Sequence, residues 1–306
     1  MIRQAAFEGD RKLLKGGLHC HTTRSDGQCT PEEVMRLHRA NGYDFLAITD
    51  HRIYNLKNFA PETGLLILPG MEIDRGLPAT FGYHCYHTVV LGREKEHGNP
   101  YEQDQRFATG MVSGQEEFQP LLDEYHRNGQ LTLYCHPEWS STPAREFERL
   151  EGNFAMELWN SGCAYENGID MNAAYWDELL GQGKRIYGCA VDDGHEKHQH
   201  CLGWVNVNAD KHVDSVLTAL QNGAFYSSCG PEIKDFHISD DGQAVIDCSP
   251  VADITFRTWG APMRRRFTEG DTLTHLTADI PRGAKYVRAV VTDARGRRAW
   301  SNPIFL

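Results

Sequence analysis

Five times between residues 45 and 195, a short apolar run ends in histidine, aspartate or glutamate. Phe45-Leu46-Ala47-Ile48-Thr49 runs into Asp50-His51, and Leu65–Met71 into Glu72. Leu131–Cys135 ends at His136, Phe154-Ala155-Met156 leads to Glu157, and Ile186–Val191 ends in Asp192-Asp193-Gly194-His195. Upstream, His19 and His21 lie two apart, which on a strand puts both imidazoles on one face and Cys20 on the other. Asp26 follows in a Ser-Asp-Gly turn. In parallel α/β barrels the carboxyl ends of the strands gather at one mouth, so residues distant in sequence can meet there. Charges packed at one mouth repel unless cations lie among them. Imidazoles with carboxylates suit a borderline divalent ion such as Zn, Mn or Fe.

The runs alternate with helical segments as far as about residue 230. Strands are predicted at 17–21, 44–50, 65–72, 86–91, 131–136, 154–159, 185–192 and 204–208. Thr30-Pro31-Glu32-Glu33 reads as a capping box with proline at the first helical position, and Gly42 closes that helix. Ser113-Gly114-Gln115-Glu116 reads as a second box, and Asp210 as the cap of a third helix. Alternation of this kind implies a parallel sheet, and seven or eight units favour a barrel. Segment 93–112 is polar and irregular and reads as an insertion or lid over the mouth. After Gly230-Pro231 short antiparallel strands are expected. The predicted organisation is a catalytic unit over 1–230 and a small all-β domain over 231–306.

Composition removes several alternatives. No apolar run is long enough to span a bilayer, and Met1–Asp10 lacks a signal core, so the cytoplasm is the expected compartment with no membrane partner. Nine cysteines, an odd number without a Cys-x-x-Cys pair, read as reduced thiols, and structural zinc through cysteines is not expected. The net charge of -11 disfavours nucleic acid as a partner. Residues 251–306 run the other way, with ten Lys/Arg against five acids, read as a solvated strand face.

Six motifs in order, Leu18-His19-Cys20-His21, Ser25-Asp26-Gly27, Ile48-Thr49-Asp50-His51, Gly70-Met71-Glu72, Cys135-His136-Pro137 and Asp193-Gly194-His195, resemble those of the PHP (polymerase and histidinol phosphatase) domain family. Ala224–Ile233 resembles the exit of stand-alone members that carry a C-terminal β domain. The resemblance spans roughly residues 15–200. It implies a distorted (β/α)7 TIM-like barrel with two or three divalent metal ions (Zn, Mn or Fe) at its mouth. Carried over by position, His19, His21, Glu72 and Asp193 would hold one ion. Glu72 would bridge to a second, held by His136 and a further histidine. Asp26, His51 and His195 would hold a third. The further histidine is His87 or His84; His87, preceding Thr88-Val89-Val90-Leu91-Gly92, is preferred. Asp193 is preferred to Asp192, because Asp193-x-His195 shares one strand face.

Cations lower the pKa of water and neutralise charge on an attacked group, so no side-chain nucleophile is required. The expected activity is that of a metal-dependent phosphoesterase acting on a small phosphorylated molecule, such as a nucleotide or sugar phosphate. Arg24, Arg52 and Asn160 are the candidate substrate-binding residues. The alternative is attack at the carbon of an ester or carbamate. A nuclease and a non-catalytic metal-stabilised module rank lower. His38, His198 and His200 read as surface, helix or pocket-lining residues outside the ligand set.

Overall fold

The parallel pairing expected from strand–helix alternation forms only in part. The computed structural model describes residues 1–9, 12–79, 83–170, 172–260 and 263–306. Leu14–Gly17, Phe45–Ala47 and Leu66–Leu68 pair in parallel. So do Leu131–Tyr134, Asn153–Asn160 and Tyr187–Val191. The two groups lie in different sheets. A five-stranded sheet begins with Gly70–Gly76 and Cys85–Leu91, which pair antiparallel, and continues through the second group. A ten-stranded sheet joins the first group to Trp204–Val207 and Phe225–Ser228, both antiparallel.

The expected (β/α)7 barrel is therefore corrected to a mixed α/β fold with no closed barrel. Only residues 77–84 connect Gly70–Gly76 to Cys85–Leu91, too few for the helical crossover that parallel pairing requires. Past the strand ends, two isolated bridges link the sheets: Cys20 with Gly194 and His51 with Glu72.

Helices form where caps and spacing allow. In Pro31–Ala40, Thr30 Oγ1 accepts from the Glu33 amide and Glu33 returns the bond to Thr30, so the first capping box is real. The second box does not form. Gly114 caps Gln115–Arg127 without a side chain, and Glu117 takes the Ser113 amide instead. His212, not Asp210, stands at the cap of Val213–Gln221. Ser161–Asn167 and Asn172–Gln182 add two helices that the sequence reading left unassigned.

Residues 231–306 hold antiparallel strands. Ile233–Ile238, Gln243–Val251 and Leu273–Asp279 form a sheet that Ile2–Arg3 joins at its edge. Arg298–Ser301 pairs with Phe225–Ser228, so the larger ladder runs through residue 230 without a break. Phe236, Ile246, Ile254, Val287 and Val291 fill the space between the two layers. Arg288 departs from the solvated reading of this segment: it is buried, and its guanidinium donates twice to Asp177, at 2.8 and 2.7 Å. All nine cysteines are free. No helix among the described residues is long and apolar enough to cross a membrane.

Candidate metal centre

The strand ends deliver their polar residues to one place. His19 Nε2 lies 3.1 Å from Asp193 Oδ1 and 3.5 Å from Glu72 Oε2. His21 Nε2 lies 3.0 and 3.3 Å from the same two oxygens. Around this core, His87 Nδ1 is 2.8 Å and His136 Nε2 3.4 Å from Glu72 Oε1. Asp26 stands at the rim, half exposed, within 3.5 Å of His21, His51 and His195. All nine ligands inferred from the family resemblance thus converge. His84 does not: its ring bonds to the Pro78 carbonyl and Glu146, away from the cluster.

Local structure explains the aim of each side chain. Asp50 is buried and accepts from the Thr22 amide, the Thr22 hydroxyl and the Ser25 hydroxyl, which fixes the loop carrying Asp26. Gly27 is required there, since a Cβ would sit 2.7 Å from the His21 carbonyl and the Thr22 nitrogen. His136 and Asp193 adopt positive φ, 22° and 48°. Such backbone costs about 1–3 kcal/mol each and persists where surroundings over-determine it. For Asp193 that frame includes its amide donating to the His19 carbonyl at 2.9 Å.

Donor chemistry tests the fit to cations. Glu157 Oε1 accepts from His19 Nδ1 at 2.7 Å, which places the ring proton on Nδ1 and turns the Nε2 lone pair toward Asp193 and Glu72. His51 Nδ1 and Glu72 Oε2 approach to 2.9 Å in a geometry that makes no hydrogen bond, so both are buried without a partner. His87 Nε2 is likewise buried and unpartnered. Converging lone pairs on imidazole and carboxylate, with orphaned buried atoms among them, fit divalent ions. Without ions, protons take that role. Burial disfavours charge on His51, but Glu72 and Asp26 push its pKa up to about 11. Burial acts the same way on His195, and Asp26 and Asp193 carry it up to about 9. Burial would raise Glu72, yet His87, His19 and His51 hold it well below the usual carboxylate range.

None of the three candidate substrate residues lines the cavity over the cluster. Arg24 donates to Asn55 and Asp104, and Arg52 to Asp74. Asn160 is buried, donates to Glu157 and Asp193, and caps Ser161–Asn167 by accepting from the Cys163 amide. Arg24 and Arg52 thus pair with carboxylates outside the cluster, and Asn160 with two carboxylates at its base. Segment 93–112, expected as an insertion or lid, contributes no lining residue to the cavity over the cluster, and its Tyr101 and Phe107 pack against Tyr54 and Tyr125. His198 is exposed, whereas His38 and His200 are buried. Glu157, one of the five strand-end residues, gains a role that the sequence does not assign. It was visible as a strand-end carboxylate three before Asn160, but only the fold shows it holding His19 and the His136 amide together.

A cavity of about 470 Å³ opens over the cluster. Asp26, His51, Glu72, His87, His136, Asp193 and His195 form its floor, with Tyr83, Trp139, Gln28, Glu166 and Glu196 among its walls. No lysine or arginine lines it among the described residues. Trp139 packs edge-on against His136 and His87, and Tyr83 against Trp139.

No protein-family model matches the chain. A 5'-3' exoribonuclease from Haemophilus influenzae is 33% identical over 87 residues, covering 27% of this chain and 30% of that protein. The chain thus matches under a third of that relative's length. A two-domain protein from Bacteroides vulgatus, described as containing a predicted PHP-like metal-dependent phosphoesterase, is similar at 13% identity and a TM-score of 0.49, over 96% of this chain and 97% of its own. An amidohydrolase from Chromobacterium violaceum, described with bound sulfate and no metal, is similar at 17% identity and a TM-score of 0.42, over 60% of this chain and 88% of its own.

Proposed function

We propose that the chain is a metal-dependent hydrolase of the PHP type that cleaves a phosphoric ester of a small molecule. The observation that carries this reading is the meeting of nine His, Asp and Glu side chains around shared oxygens of Glu72, Asp193 and Asp26. His19, His21, Glu72 and Asp193 would hold one ion, Glu72, His87 and His136 a second, and Asp26, His51 and His195 a third. Divalent ions held there would supply Lewis acidity and would lower the pKa of water to about 7. The chain's own residues do the positioning. Glu157 sets the His19 tautomer, and Asp50 holds the Asp26 loop. The cavity has the size of small-molecule sites, and Tyr83 and Trp139 give the leaving group an apolar wall. On the same reading, residues 1–230 form the catalytic unit and 231–306 the β unit behind it.

One observation favours attack at carbon instead. With Arg24 and Arg52 both paired to carboxylates, no lysine or arginine among the described residues lines the cavity to meet a phosphate. The test is hydrolysis of p-nitrophenyl phosphate and a nucleotide panel, with Mn or Zn, beside a carbamate ester. Phosphate release that disappears on chelation and in Glu72→Gln supports the proposal. Turnover of the carbamate alone would replace it with the second reading, and turnover of neither would reject both.

A further inference from the structure

A second set of donors lies beneath the centre, on the opposite side of the chain at Asp192–Asp193. His38, in the helix Pro31–Ala40, is fully buried. Its Nδ1 is 2.8 Å from the Val34 carbonyl. A carbonyl only accepts, so Nδ1 carries the ring proton and the neutral ring presents a lone pair at Nε2. That lone pair faces Asp192 Oδ2 at 3.2 Å. Two acceptors so close repel unless positive charge lies between them.

His200 adds a third donor. It is 4% exposed, and neither ring nitrogen has a hydrogen-bond partner. Its ring centroid is 5.6 Å from that of His38. One donor atom from each of His38, Asp192 and His200 falls within 4.8 Å of the others. The Cys201 side chain reaches the same histidine ring. A proton on His38 would satisfy the pair with Asp192 but leave both nitrogens of His200 orphaned beside a positive ring. A cation shared by all three would lie between His38 Nε2 and Asp192 Oδ2 and take one nitrogen of His200.

We propose that His38, Asp192 and His200, with Cys201 beside them, form a buried structural zinc site separate from the nine-residue centre. Imidazole, carboxylate and thiol donors in a closed setting match Zn(II) rather than a hard cation. The ion would clamp the helix Pro31–Ala40 to the loop after Tyr187–Val191. That loop already wraps Asp192, whose oxygens accept from the amides of Cys201, Leu202 and Gly203. None of the three donors belongs to the proposed catalytic set, so the inference stands apart from the reaction assigned above.

The test is an anomalous difference map from crystals of the full chain grown with zinc and measured above the zinc edge. A peak between His38 Nε2, Asp192 Oδ2 and His200 is expected. A map with no peak there overturns the site, whatever the nine-residue centre holds. In solution, elemental analysis should find one zinc per chain fewer in His200→Ala than in the native protein. Equal zinc in the two would overturn it as well. If that variant does not fold, the map of the native protein decides, and neither readout depends on hydrolysis.

Discussion

Glu157 does not line the cavity over the cluster, yet it holds the tautomer of His19. Glu157→Gln should weaken metal binding about 10- to 100-fold, the usual effect of losing a partner behind a ligand. Competition titration with a chelating dye would measure it, and unchanged affinity would remove the role. Gly27 acts through space rather than chemistry. Gly27→Ala should cost about 1–3 kcal/mol in denaturant unfolding and lower the metal content, because its Cβ meets the His21 carbonyl. His51, Glu72, His136 and Asp193 stood out in the sequence because each lies where an apolar run stops, whereas Asp26 and His87 came only from the family resemblance. His38 was not, because a histidine on a helix reads as surface, and its partner Asp192 is 154 residues away. The pairing of Arg24 with Asp104 and of Arg52 with Asp74 was not legible, because proximity to a motif does not reveal carboxylates distant in sequence.

The helix Gln115–Arg127 is tied to the strand Leu131–Tyr134 by His126, whose Nε2 lies 2.8 Å from Thr132 Oγ1. Burial lowers the His126 pKa below its ordinary 6.5. The fold therefore binds this proton less readily than the unfolded chain does. Its contribution is complete above pH 6.5 and is lost as pH falls below that value. His126→Gln should unfold with less dependence on pH between about 7 and 5 than the native protein, as read by melting temperature across that range. Element identity was largely readable from caps and apolar spacing, as Pro31–Ala40 illustrates. Pairing was not, because the reversal between Gly70–Gly76 and Cys85–Leu91 depends on a short connection rather than on either strand's composition.

At the scale of the molecule, Arg288 anchors the C-terminal strands to the helix Asn172–Gln182. Its guanidinium pairs with Asp177, and the Tyr286 hydroxyl donates to the same carboxylate. Removing one side of a buried pair strands the other, so Arg288→Met should destabilise the chain by about 3–5 kcal/mol in chemical denaturation. A change under about 1 kcal/mol would mean that apolar packing alone holds the layers. The two bridges that join the sheets, Cys20 with Gly194 and His51 with Glu72, fall within the ligand cluster itself. Ions there would rivet a seam as well as serve a reaction. Stripping them should let the molecule part along one line first, with faster deuterium uptake at the His21, Arg52, Glu72 and Asp193 amides, which cross that line, than in the strands on either side.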